Sequence, residues 1–126
     1  MKPTKEEIKA RYAEFNTMYF KGVLPKCKFS ATYIDSMGRY TFDKKAQLGH
    51  IWVRKAQMSE ERFKEILIHE MIHHYIQTVE GKRGGLFGHN WRFRRQCRRL
   101  IKEFGIRIGV WNTLGLRDCF CVIDPQ

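Results

Sequence analysis

Long hydrophobic runs are missing from this 126-residue chain, and no apolar stretch approaches the ~20 residues needed to span a bilayer. The opening residues, MKPTKEEIKARY, lack an apolar centre, so no secretory signal is expected there. The default compartment is then the cytoplasm, and no membrane partner is expected. Cysteine is sparse: Cys27, Cys97, Cys119 and Cys121 form no CxxC pair. That excludes a zinc ribbon of the usual spacing, and the four are expected to be reduced thiols. Internal repeats, low-complexity tracts and linkers are also absent, so residues 1–126 are expected to form one domain. Acidic residues are few, 13 against 24 Lys and Arg, for a net charge of +11. Such an imbalance says nothing about fold but favours polyanionic partners. The excess is local, because residues 81–107 carry nine Lys and Arg and a single acid, Glu103. The bland alternative is a merely solvated basic surface.

What is present has the composition of a soluble globular domain, 43% hydrophobic and 29% charged. Thr4-Lys5-Glu6-Glu7 has the form of a capping box and opens a first helix. Ile8, Tyr12, Phe15 and Tyr19 recur at helical spacing, so one face of it is buried. Lys21-Gly22-Val23-Leu24-Pro25 ends it, with Gly suited to a left-handed cap and Pro unable to continue. CKFSATYI (27–34), GRYTF (38–42) and LGHIWVR (48–54) are rich in β-formers and predict consecutive strands, with Asp43-Lys44-Lys45 in the last turn. Ser59-Glu60-Glu61 opens a second helix running to about Val79 or Glu80. It is apolar around most of its circumference, as a buried central helix would be. GKRGG (81–85) predicts a flexible loop. A third helix follows from about Asn90 to Phe104, with Phe93, Cys97, Leu100, Ile101 and Phe104 as its core stripe. Arg92, Arg95, Arg99 and Lys102 fall on the opposite face, with Arg94 and Arg98 flanking. The remaining segments, IRIGVWNT and CFCVIDPQ, look extended. The fold class expected is α+β: a small antiparallel or mixed sheet packed against the buried second helix, with flanking helices.

Within that second helix stands LIHEMIHHYI (67–76). Polar groups in so apolar a run are costly unless something satisfies them. His69 and His73 are four apart, so they project from one face on successive turns. That spacing suits two imidazoles on one tetrahedral zinc, with Glu70 in the same cleft. HExxH is the pattern of zinc hydrolases, in which the Glu binds no metal and serves as general base. The alternative is a pair of core histidines bonded to carbonyls. His74, one residue further round, points away from such a site and suits a backbone partner. The longer HExxHxxGxxH pattern is absent, so the third ligand must come from elsewhere. His89 leads, since a glycine loop can bring the start of the third helix back across the cleft. Cys97 and His50 are the other candidates, whereas Glu80 is about two turns too far along. Tyr12, Tyr40, Tyr75 and several arginines are candidates to stabilise an oxyanion, and no spacing selects one.

The chain resembles the SprT-like family of zinc metalloproteases over most of its length. FNTMYFKGVLP (15–25) is similar to the family's N-terminal helix end with its aromatic-Gly-x-Leu-Pro turn. GRYTF followed by HIWVRKAQMSEERFKEILIHEMIHHYI matches its strand-then-HExxH-helix arrangement. GHNWRFRRQCRRLI matches the region holding the family's third His. The family pattern there is His-Gly-x-x-Phe, and here it is His89-Asn90-Trp91-Arg92-Phe93. Asn in place of Gly can still cap a helix and tolerate left-handed angles. The resemblance implies a small zincin-like domain with a single zinc held by His69, His73 and His89. It implies Glu70 as catalytic base and a protein or peptide substrate. For Spartan-type members it implies removal of proteins crosslinked to DNA. Many relatives add a four-cysteine zinc ribbon, and with only Cys119 and Cys121 near the end that second site is expected to be absent.

The Arg92/Arg95/Arg99/Lys102 face is then the candidate for DNA binding, single-stranded or without sequence preference. Trp91 is either a base-stacking or a rim aromatic. Such a protein would work in the cytoplasm on the nucleoid, or in the nucleus of a eukaryote. Two other classes stay open: a DNA-binding module with a structural zinc site, and a zinc hydrolase of a non-peptide amide.

Overall fold

The computed structural model describes residues 1–82, 91–111 and 117–120. Helix α1 spans Lys5–Phe20, and strands β1, β2 and β3 span Cys27–Thr32, Gly38–Asp43 and Leu48–Arg54. Helix α2 spans Glu60–Thr78 and α3 spans Trp91–Phe104, followed by β4 (Gly109–Trp111) and β5 (Arg117–Phe120). This is the expected α+β class, a small zincin-like arrangement with a short sheet against a buried helix. No helix among the described residues is long and apolar enough to cross a membrane.

Local chemistry sets the boundaries. Thr4 caps α1 by accepting from the Glu7 amide, and Ser59 caps α2 by accepting from the Arg62 amide. Each relieves one of the amides left unpaired at a helix start. At the end of α1 the left-handed cap falls on Lys21 (φ 54°), one residue before the expected Gly22, which is itself left-handed. Asn16 then clasps the turn, its side chain bonding both the amide and the carbonyl of Leu24. In the hairpin between β2 and β3, Asp43 Oδ1 accepts from the amides of Lys45 and Ala46.

The three-stranded sheet has the order β1-β3-β2 and is mixed. β2 and β3 pair antiparallel through the hairpin, while β1 lies parallel to β3 with Phe29 opposite Ile51. Alternation along β3 decides what each face does. Gly49, Ile51 and Val53 are buried toward the helices, and His50 and Trp52 lie on the opposite face, stacked at 3.6 Å. β1 ends at Thr32, short of the expected Ile34, and Tyr33 beyond it is 73% exposed.

α2 runs through the middle of the molecule. Phe63, Ile66, Leu67, Ile68, Met71 and Ile72 have no exposed surface. α1 covers it on one side, with Ile8, Phe15 and Tyr19 in the shared core, and β2 and β3 cover another. At about 1.5–3 kcal/mol per large apolar side chain, this helix carries much of the folding energy. α3 closes a third side with Phe93, Cys97 and Leu100. The expected stripe on α3 needs correction: Gln96 joins it, Ile101 is half-buried, and Phe104 is 42% exposed. Phe104 sits in the last turn, with the Tyr19 ring 5.0 Å away. The extended segments expected after α3 include β4 and β5, which pair antiparallel.

Because Phe63 is fully enclosed at the first turns of α2, Phe63→Ala should destabilise the fold by about 3–5 kcal/mol. Urea denaturation, read as a lower midpoint at unchanged slope, checks this.

Candidate metal centre

His69, Glu70 and His73 come together as the helix spacing requires. One potential ligand atom from each lies within 4.8 Å of the others. The His69 and His73 rings are 5.1 Å apart and nearly perpendicular. His69 and Glu70 are 2% exposed, whereas His73 is half-buried. His69 Nε2 stands 4.0 Å from Glu70 Oε2. Burial pushes the Glu70 carboxyl well above the usual carboxylate range.

The donor set fits a borderline divalent cation. Two imidazoles on successive turns are the ligand type and spacing zinc takes on a helix. Nitrogens held by one zinc at tetrahedral angles lie about 3.4 Å apart, within reach of small side-chain rotations from the spacing here. A cation between them would also offset the expense of enclosing the Glu70 carboxylate.

The walls come from two elements, α3 and β2. Phe93, in the first turn of α3, packs 4.8 Å from both imidazoles. Tyr40 of β2 lies nearly parallel to His73, at 6.3 Å and 13°. Gly38, the first residue of β2, abuts Glu70 so closely that a Cβ there would sit 2.5 Å from Glu70 Oε2 and 2.9 Å from Ile66 Cγ2.

The expected third ligand, His89, lies outside the described residues. His50 does not take its place: it faces the far side of the sheet and pairs with Ser30 Oγ at 2.8 Å. Cys97 is wholly buried in α3 and does not join the cluster. His74 turns away from the cluster as expected. Its Nε2 donates to the Pro25 carbonyl at 3.0 Å, and its Nδ1 accepts from the Tyr40 hydroxyl at 2.7 Å. Desolvation lowers its pKa, which favours this neutral ring. Among the tyrosines weighed for an oxyanion, Tyr12 spends its hydroxyl on Pro25 and Tyr40 on His74. Tyr75 packs against Phe20.

The basic face of α3 is less open than its sequence implies. Glu80, just past α2, accepts from Arg92 at 3.2 Å, Arg95 at 3.3 Å and Gln96 at 3.2 Å. Arg99 donates to the Tyr19 carbonyl at 2.8 Å and to Gln96, and pairs with Glu103. Lys102, Arg94 and Arg98 are exposed. Trp91 is 58% exposed, with the Arg92 and Arg95 guanidinium carbons 4.4 and 4.9 Å from its ring centre. Glu80 escaped the sequence reading because its partners lie 12–16 residues away on another helix. Gly38, and the place of Tyr40 beside His73, escaped it because nothing in GRYTF marks a strand that packs against the HExxH helix.

Adding a methyl at Gly38 should force Glu70 and Ile66 apart. Gly38→Ala is expected to destabilise by about 1–3 kcal/mol, measurable by chemical denaturation.

A model of the SprT-like family matches the sequence over residues 8–110. No curated protein matches it.

Proposed function

The chain belongs to the SprT-like family, and on that premise we propose that it is a zinc-dependent metallopeptidase acting on DNA-associated or DNA-crosslinked proteins. The observation that carries the proposal is the His69–Glu70–His73 cluster on one face of a central helix, with His69 and Glu70 buried and His73 half-buried. His69 and His73 would hold the zinc, with His89 as third ligand. Phe93, four residues after His89, supports that assignment because it packs on both imidazoles. Bound there, zinc supplies Lewis acidity, activating water and polarising a scissile carbonyl.

Glu70 acts as the general base. Its carboxylate accepts a proton as water attacks the carbonyl carbon, and it returns that proton to the departing amine nitrogen. The enclosure of Glu70 by Gly38 and Ile66 keeps its carboxylate aimed at one place. A structural zinc site would need no such buried carboxylate beside its ligands, which is why an enzyme is favoured over a binding module.

The nucleic-acid side of the proposal rests on charge. A net +11, the exposed Arg94, Arg98 and Lys102, and Trp91 with two guanidinium groups against it suit a phosphate backbone and unstacked bases. Arg92, Arg95 and Arg99 have a second task, since they also tie α3 to Glu80 and Tyr19.

Glu70→Gln should keep zinc while losing about 10²–10⁴-fold in peptide-bond hydrolysis. The assay is cleavage of a basic DNA-binding protein, with and without single-stranded DNA, alongside metal analysis. Cleavage by wild type that ignores DNA would keep the peptidase and remove the nucleic-acid role. No cleavage in any lane with zinc bound would favour the binding module or a non-peptide amide substrate. Lys102→Ala removes an exposed charge. It should weaken single-strand binding and reduce the log–log salt slope by about 0.7. An unchanged slope removes Lys102 from the interface.

A further inference from the structure

The second histidine of the pair, His74, is not part of the metal cluster, yet it is completely buried. It sits in a chain of hydrogen bonds that begins on α1. The Tyr12 hydroxyl and His74 Nε2 both donate to the Pro25 carbonyl, at 2.5 and 3.0 Å. A carbonyl only accepts, so Nε2 carries the hydrogen of the neutral ring and Nδ1 is left as an acceptor. The Tyr40 hydroxyl therefore donates to Nδ1, at 2.7 Å. Space for this contact exists because residue 49 is glycine: a Cβ there would lie 2.6 Å from both His74 Nδ1 and the Tyr40 oxygen. Tyr40 thus has its hydroxyl fixed by one residue of α2 while its ring lies parallel to the preceding one, His73.

We propose that Tyr40, anchored by His74, is a positioning residue for His73, setting the imidazole plane before any metal arrives. The role rests on His73 being a metal ligand, as in the function proposed above. It deepens that reading by giving the doubled histidine two tasks. His73 binds, and His74 orients the ring that orients His73. Preorganisation of this kind matters because a ligand free to rotate must lose that freedom on binding. His73, half-buried where His69 is 2% exposed, is the less enclosed imidazole of the pair and gains more from a fixed ring beside it.

The test compares Tyr40→Phe, Tyr40→Leu and His74→Gln with Tyr12→Phe. The last removes a hydrogen bond to the same Pro25 carbonyl but leaves the Tyr40–His74 bond and the Tyr40–His73 ring pair in place, so it reports the structural loss without the orienting one. Zinc affinity is measured by chelator competition, and the imidazole nitrogen and proton resonances of His73 are recorded in the metal-free chain. Affinity is expected to fall about tenfold or more for Tyr40→Leu and His74→Gln, less for Tyr40→Phe, and not at all for Tyr12→Phe at matched melting temperature. The His73 resonances should broaden or double in the Tyr40 variants and in His74→Gln, and stay sharp in Tyr12→Phe. An affinity loss in Tyr12→Phe equal to that in the Tyr40 variants would overturn the proposal, as would sharp, unshifted His73 signals in Tyr40→Leu. A wild type that binds no zinc would instead defeat the metallopeptidase reading. The metal-free resonances would then still decide whether Tyr40 orients His73.

Discussion

Everything in this molecule is arranged around one helix that has almost no face to give to water. α2 is apolar on nearly every side, so it can exist only when enclosed, and α1, the sheet and α3 each supply a wall. Its polar residues are enclosed with it. A buried imidazole or carboxyl is tolerated only where something answers its charge or its hydrogen-bonding capacity. His74 is answered by Pro25 and Tyr40. His69, Glu70 and His73 are gathered on the adjoining face, where a cation would answer all three together. The packing of the core and the chemistry of the site are therefore one problem with one solution.

The walls differ in how they are attached. The sheet reaches α2 through close backbone approach, at Gly38 beside Glu70 and at Gly49 beside His74. Neither position has room for a Cβ, so the spacing of sheet and helix is set by glycine on the sheet side. α3 is attached differently. Glu80 gathers Arg92, Arg95 and Gln96, and Arg99 reaches across to the carbonyl of Tyr19. Those bonds fasten α3, and Phe93 in its first turn lies against both histidines. Positive charge that looks, along the chain, like a surface for a polyanion is in part the fastening of a helix. Arg94, Arg98 and Lys102 are exposed, as is Arg95 although it also bonds Glu80.

Much of this was legible in the chain. Thr4 and Ser59 marked two helix starts to the residue, because a cap is a local hydrogen bond between neighbours. β3 was legible in full, because the β-formers Ile51, Trp52 and Val53 stand together within 48–54, after the turn residues Asp43-Lys44-Lys45. The end of β1 was not, since nothing in Tyr33-Ile34 records that pairing with β3 stops at Thr32. Phe104 has the right helical phase for the core yet is partly exposed, because phase does not report how far the neighbouring wall extends.

The sequence by itself determined that His69, Glu70 and His73 share a helix face, that this helix is buried, and that His74 points elsewhere. Those are consequences of a 3.6-residue period acting over a few turns, and no distant contact can undo them. Tertiary structure alone decided which groups stand opposite that face. It placed His50 on the far side of the sheet, laid Tyr40 beside His73, and brought Phe93 over both imidazoles. It also turned Glu80 toward three partners on α3. These contacts join residues separated by a dozen to several dozen positions. They depend on strand order, register and helix docking, which emerge from the packing of the whole core and not from any one segment of the chain.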